Sequence, residues 1–423
     1  MASKLDMILF GATGFTGKNA LKTLKKLAEE NGGLTWGVAG RSEQKLKDVL
    51  EEMGKLSDND FSDVPIIIAD VKDEESIKQM TAKCRIVLNA CGPYRFYGEP
   101  VIKACIESGT HHVDISGEPQ FLEKMQLKYH EEAKEKGVYI VGACGYDSIP
   151  CDMGTCFVSE KFKGTLHSVE TYMEGGEEGG PWPGPTINYG TWESAVYGLA
   201  HGDELKDLRS KLYATKLPKF KPSLKSRGVI HKNDFNDKWS LPFMGSDRSV
   251  VRRSQRYFYE HEKKRPVQIN TYFCVDSILT VVGMAILGLV FSVLCKFELG
   301  RKWLLDYPHI FSFGHVTKGG PTYEKVEHTL FSITILGQGW DETLAEADDQ
   351  FTTRPDKKIK ARISGRNPGY YATNVMLILS GIMILNEPTK LPSNGGVYPP
   401  AAAFARTSMI EKLVENDIKF EVL

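Results

Sequence analysis

The sequence has no Cys-x-x-Cys pair among its eight cysteines and no Asn-x-Ser/Thr acceptor. Without them, neither a disulfide framework nor a paired-thiol zinc site can be read from the spacing, and a reducing compartment is expected. An excess charge of one sign is also missing, since 53 lysines and arginines face 54 acids. That excludes wholesale affinity for nucleic acid and moves any preference for a partner to local patches. The first apolar run, Met7–Phe10, is four residues long before Gly11 interrupts it, too short for the core of a secretory signal, so a cytosolic start is expected. No internal repeat is seen. What is present, 41% hydrophobic and 25% charged residues over 423 positions, fits a packed enzyme with two cores.

Residues 6–145 alternate short apolar runs with helical patterns. Strands are expected at Met7–Phe10, Trp36–Ala39, Ile66–Ala69, Ile86–Ala90, His112–Ile115 and Tyr139–Gly142. Helices are expected at Lys18–Glu30, Glu43–Met53, Ser76–Ala82, Pro100–Ser108 and Gln120–Lys136. Strands separated by helices imply an α/β fold with a doubly wound parallel sheet of the Rossmann type. The rhythm changes near residue 150, where glycine and proline cluster at EGGEEGGPWPGPTINYG. The expected division is therefore a nucleotide domain over 1–150, an α+β substrate or dimerisation domain over 151–390, and a segment over 391–423 that packs back on the first domain.

The stretch GATGFTG carries the sharpest signal. Gly11, Gly14 and Gly17 follow an expected strand and open an expected helix. Gly11 permits the tight turn, Gly14 removes a Cβ that would obstruct a pyrophosphate, and Gly17 lets the helix approach the sheet. Thr13, Phe15 and Thr16 fill the spacers, and the free N–H groups at the helix start face the anion. At the end of the second strand the acid that would bind a free ribose 2′-OH is missing. The chain reads AGRSEQK there, and Arg41, with Ser42 and Lys45 close behind, suits a 2′-phosphate. NADP (as NADPH) is expected over NAD, unless Arg41 merely pairs with a neighbouring carboxylate. Asp70 either touches the adenine side of the cofactor or caps a helix. Ala90 and Gly92 in NACGPY let the cofactor pass close to the backbone.

Together GATGFTG, AGRS, NACGPY, HHVDISGE and GYDSIPCDMG resemble the saccharopine dehydrogenase-like oxidoreductases, a group that includes trans-acting enoyl reductases of lipid biosynthesis. The likeness spans most of the chain. It implies a Rossmann domain joined to an α+β domain, a nicotinamide dinucleotide, and association with lipid droplets and other membranes. Family membership does not settle the substrate. No paired-cation site for the two amino-dicarboxylate ends of saccharopine is seen.

Hydride transfer requires a proton donor or acceptor near the nicotinamide, which lies beyond the carboxyl ends of the later strands. The residues delivered there are Tyr94, His112, Asp114, Glu118, Tyr146 and Asp147. Tyr94 and Tyr146 could give a proton, and Asp147 could orient the donor. The competing readings are that the tyrosines cover an apolar wall and that Asp147 caps the helix entered at Ser148-Ile149-Pro150. His111 and His112 point to opposite faces of one strand and no second ligand cluster exists, so no metal is expected. Cys144 has no local base, which argues against a nucleophile.

Ser277–Cys295 holds nineteen residues without a charge. As a helix at about 1.5 Å per residue it nearly matches a hydrocarbon core of roughly 30 Å. Basic residues flank both ends, which favours insertion from one side over spanning, and a buried core helix or a homodimer helix is the alternative. Between Leu205 and Arg265 there are 17 lysines and arginines against six acids, an excess that would attract anionic headgroups or else form a solvated loop. Nucleic acid is not the expected partner, because no aromatic platform accompanies the charge. The expected function is an NADP(H)-dependent oxidoreductase acting on a lipophilic substrate at the cytoplasmic face of membranes or lipid droplets. A non-catalytic nucleotide-binding adaptor and a soluble amino-acid dehydrogenase are the alternatives.

Overall fold

The computed structural model describes residues 4–343 and 346–423; Met1–Ser3, at the opening of the expected first domain, and 344–345 lie outside them. The chain divides into two units. Unit one comprises 1–146, 204–212 and 368–416, and unit two comprises 147–203, 213–367 and 417–423.

Unit one begins with β1 (Leu5–Phe10), α1 (Phe15–Glu30), β2 (Trp36–Gly40), α2 (Glu43–Ser57), β3 (Ile66–Ile68) and α3 (Glu74–Ala82). It continues through β4 (Cys84–Asn89), α4 (Tyr94–Ser108), β5 (His111–Asp114), α5 (Pro119–Glu135) and β6 (Tyr139–Val141). The six strands pair in parallel in the order β6-β5-β4-β1-β2-β3. The strands form because their apolar runs are buried on both faces, as helical crossovers require; Met7, Ile8 and Leu9 are fully covered. α1 buries Ala20, Leu21, Leu24, Leu27 and Ala28 along one stripe, the helical spacing that turns an amphipathic segment onto a sheet. α4 starts at Tyr94, six residues before the expected Pro100, because the Glu118 carboxylate accepts both Tyr94 N and Arg95 N at 2.9 Å and so satisfies the first amides of the extended helix.

Unit two starts with α6 (Ile149–Lys161), β7 (Thr165–Glu177) and α7 (Tyr189–Ala200). Asn188, which accepts Gly190 N at 2.8 Å, caps α7. The chain then returns to unit one for α8 (Glu204–Leu212). Two arginine forks explain the detour: Arg209 holds the buried Glu123 at 2.8 and 2.9 Å, and Arg95 holds Glu204 at 2.7 and 2.8 Å. Unit two resumes with β8 (His231–Lys232), β9 (Trp239–Pro242), α9 (Asp247–Glu262), β10 (Gln268–Val275), α10 (Ile278–Cys295), α11 (Glu298–Asp306), α12 (Pro308–Phe311), β11 (Thr329–Trp340) and β12 (Lys357–Arg366). Its sheet is mixed: β7 is parallel to β10 and antiparallel to β11.

The final stretch differs most from the sequence boundaries. The apolar helix α13 (Thr373–Asn386), which falls within the 151–390 span expected as the second domain, is a core element of unit one. Thirteen of its residues are buried, and a Cβ on Gly381 would stand 2.7 Å from the Leu88 side chain of β4. An all-round apolar helix needs apolar surroundings on every side, and here the core of unit one supplies them. β13 (Gly396–Tyr398) then adds a seventh parallel strand beside β6. α14 (Pro400–Phe404) and α15 (Met409–Glu415) follow in unit one, whereas β14 (Lys419–Val422) pairs with β12 in unit two. The expected tail thus divides between the units, because its helix presents the buried Met409 and Leu413 to one core while its last strand completes the other sheet.

Candidate dinucleotide site

The turn from β1 into α1 is shaped by its glycines. Gly11 has φ +90°, and a Cβ there would meet Ala90 C and Cys91 N at 3.0 Å. The exit of β4 therefore presses on the turn, and Ala90 and Gly92 lie at that exit. A Cβ on Gly17 would sit 2.2 Å from Gly11 O, inside any permissible contact, so α1 packs onto the turn only with glycine there. A Cβ on Gly14 would meet Gly11 O at 3.2 Å and otherwise open space. That space is where a pyrophosphate needs room.

Side chains cap the starts of three other helices of this unit. Ser42 caps α2 by accepting Lys45 N, Asp73 caps α3 by accepting Glu75 N and Ser76 N, and Glu118 caps α4. The start of α1 has Gly14 at its cap with no side-chain bond, and no acid stands in its first turn. The amides of Phe15 and Thr16 therefore meet the helix dipole uncompensated, a ready site for an anion. Thr13 and Gly14 are exposed, and Phe15 and Thr16 are half-buried. A pyrophosphate fits this cradle.

The second and third strands deliver their polar residues to the same end of the sheet. Arg41 and Asp70 both act on the Cys91 thiol, whose pKa burial pushes up to about 11 while Arg41 pulls it down and Asp70 pushes it up. Arg41 is exposed and makes no ion pair among the described residues, beside the half-buried Ser42 at the start of α2. The alternative of a carboxylate-paired arginine therefore finds no support. Asp70 accepts Lys72 N at 3.0 Å, while Asp73 performs the helix capping that was the other reading of Asp70.

The catalytic candidates separate. Tyr94 is buried and its hydroxyl donates to Asn89 O at 2.8 Å; burial, then the Asp114 charge, holds its pKa well above the ordinary phenol. His112 stands on the neighbouring strand with Nε2 3.2 Å from Asn89 Nδ2, and burial lowers its pKa to about 3. Asp114 accepts Ser116 N at 2.9 Å and Ala143 N at 3.3 Å. Burial raises the pKa of Cys144. Tyr146 ends unit one, its amide donating to Thr373 Oγ1 at 3.1 Å.

Asp147 opens unit two. Its Oδ1 accepts Ser246 N and Ser246 Oγ, each at 3.1 Å, and its carboxyl is hydrogen-bonded to that of Asp247. Burial raises the pKa of both acids at the starts of α6 and α9, and the Asp147 charge raises that of Asp247 further. Asp247 and Ser246 carried no sequence signal, because their partner, Asp147, is distant in the chain; the Ser246 separation is 99 residues. Thr373 and Asn374 were also missed, although a Thr-Asn pair opening an otherwise apolar helix was a visible anomaly. Asn374 Nδ2 donates to Thr16 O at 3.3 Å, and Tyr370 meets the Phe15 ring edge-on at 4.6 Å. Among the described residues no group of three or more His, Cys, Asp or Glu forms a metal-ligand set.

A parallel sheet whose first helix starts on bare amides, joined to a mixed-sheet unit, is the architecture of a dinucleotide-dependent oxidoreductase. Residues 7–141 match the family model of the saccharopine dehydrogenase NADP binding domain. The human saccharopine dehydrogenase-like oxidoreductase is 42% identical over 422 residues, covering 99% of this chain and 97% of the relative. A Caenorhabditis elegans protein named "Lipid droplet localized protein" is 36% identical, covering 99% of this chain and 98% of its own. The Saccharomyces cerevisiae saccharopine dehydrogenase (L-Glu forming) superposes with TM-score 0.54 at 14% identity, covering 99% of this chain and 100% of the other, a likeness of fold alone. The chain belongs to the saccharopine dehydrogenase-like oxidoreductases. It is an oxidoreductase with an NADP-binding domain.

Proposed function

We propose that the protein uses NADPH, in preference to NADH, to transfer a hydride to a lipophilic substrate at an enoyl C=C, carbonyl or imine group, from the surface of a membrane or lipid droplet. The observation that carries the lipid reading is α10. It has mean hydropathy 2.7 with 11% of its residues buried, and Leu279, Ile286 and Leu289 stand 79%, 60% and 67% exposed. Soluble surfaces rarely leave so continuous an apolar face in water. The other apolar helix, Pro368–Asn386, is 83% buried and is explained by the core of unit one.

The topology favours insertion from one side. β10, just before α10, and β11, which follows it, both neighbour β7 in one sheet, so the excursion leaves and rejoins the same folded unit. α11 turns back at once: a Cβ on Gly300 would stand 2.3 Å from Leu294 O, and Arg301 Nη1 donates to Cys295 O at 2.9 Å, capping α10. Trp192 of α7 braces the helix against Phe291 at 4.9 Å between ring centroids. The name of the nematode relative supports a lipid-droplet surface for such an anchor. Arg41, which pairs with no carboxylate among the described residues, supports the preference for a 2′-phosphate.

NADPH carrying deuterium at the transferable position, incubated with the protein, phospholipid-coated triacylglycerol droplets and a lipid extract, tests the reading. Lipid-dependent NADPH oxidation with deuterium on a lipid product is expected, the proton coming from a protein acid or water. Tight NADPH binding with no lipid-dependent oxidation would favour a non-catalytic adaptor.

A further inference from the structure

We propose that Thr373 and Asn374 are positioning residues that tie the diphosphate turn to the end of unit one, so that dinucleotide occupancy fixes the backbone at Tyr146. The inference rests on the reading that the turn before α1 holds a nicotinamide dinucleotide.

Four contacts carry it, all within unit one. Asn374 is fully buried, and its Nδ2 donates to Thr16 O, the carbonyl of a residue whose own amide faces the proposed anion. Its Oδ1 finds no donor among the described residues. Thr373 Oγ1 accepts the Tyr146 amide at 3.1 Å and donates to Pro368 O at 2.8 Å. A Cβ on Gly145 would stand 3.2 Å from the Thr373 methyl, so the backbone before Tyr146 lies against the same residue.

The polar pair needs an explanation. Every later residue of α13 up to Leu385 is buried, and Ser380 is the only other polar side chain among them. A buried amide with one unsatisfied oxygen weakens a core unless the group serves another purpose. The first turn of α13 is preceded by a five-residue π turn, Pro368–Ala372, from which Tyr370 reaches the Phe15 ring; such turns recur at functional positions. Adjacent residues of one helix start thus hold the diphosphate turn on one side and the last residue of unit one on the other. A diphosphate that orders Phe15 and Thr16 restrains Asn374 through Thr16 O. The rigid helix start passes that restraint to Thr373 and the Tyr146 amide.

Hydrogen exchange at the Tyr146 amide of the full chain, with and without millimolar NADPH, tests this alongside NADPH titration. In the wild type NADPH is expected to slow exchange there about tenfold, roughly the effect of stabilising one hydrogen bond. Thr373→Val abolishes the slowing and Thr373→Ser retains it. Asn374→Asp, which keeps the side chain's shape, weakens NADPH binding roughly tenfold and supplies an arm that does not depend on Thr373→Val folding. Wild-type protein that binds NADPH with unchanged Tyr146 exchange overturns the coupling and leaves the cofactor reading standing. Wild-type slowing in Thr373→Val, or wild-type affinity in Asn374→Asp, also overturns it. Failure of the wild type to bind NADPH at millimolar concentration overturns the cofactor reading and the coupling together.

Discussion

Replacing Arg41 by alanine removes the one residue on which the cofactor preference turns. Arg41 is exposed and holds no carboxylate among the described residues, so its loss strands no buried charge and changes folding stability by less than about 0.5 kcal/mol. With NADPH bound, its guanidinium would make charge-assisted bonds to the 2′-phosphate, each worth about 1.5–3 kcal/mol. At 1.4 kcal/mol per factor of ten, Arg41→Ala should raise the Kd for NADPH by roughly 10- to 150-fold. NADH lacks the phosphate, so its Kd should change less than about twofold. Quenching of intrinsic fluorescence at matched ionic strength reads both constants, and the NADPH effect should shrink as salt rises. Unchanged affinities for both cofactors would remove Arg41 from the site, whereas an equal loss for both would show damage to the turn.

Three further outcomes follow from particular contacts. Gly17→Ala places a Cβ 2.2 Å from Gly11 O; it should cost roughly 1–3 kcal/mol by thermal melting and weaken NADPH at least about tenfold, and a variant with normal melting would contradict the packing. For the Asp147–Asp247 pair, burial raises both folded pKa values. Its stabilisation is therefore fully present below the ordinary carboxyl pKa of about 4 and is lost as pH rises through the folded value. Asp247→Asn keeps a neutral group, so the melting temperature should depend less on pH above that point and be no lower than wild type near neutrality; a steeper dependence would refute the raised pKa values. Ile286→Asp with Leu289→Asp should lower droplet binding in flotation roughly a thousandfold or more, at about 2.5–3.5 kcal/mol per buried charge, with melting in solution unchanged. Loss of folding instead would make α10 a core helix.

The nucleotide unit was legible because its signals are local. Apolar runs, a glycine turn and the missing acid at Arg41 each act within a few residues, and the strands through Val141 fall within one or two residues of the expected spans. What the sequence hid is long-range. α8 joins unit one through Arg209 and Glu123, 86 positions apart, and α13 reaches α1 through Asn374 and Thr16, 358 positions apart. α13 lies in the span read as the second domain because nothing local in its apolar run says which core it fills, since an all-apolar surface suits either. The start of α4 was misplaced for a similar reason: Pro100 resembled a first-turn proline, and the capping carboxylate, Glu118, comes from the loop after another strand.

The most direct test of the account is a crystal structure of the full chain grown with millimolar NADPH. The account predicts diphosphate oxygens within hydrogen-bonding reach of the Phe15 and Thr16 backbone nitrogens and the 2′-phosphate at Arg41. A dinucleotide bound elsewhere, or a cleft at the start of α1 that stays closed at that concentration, would contradict it.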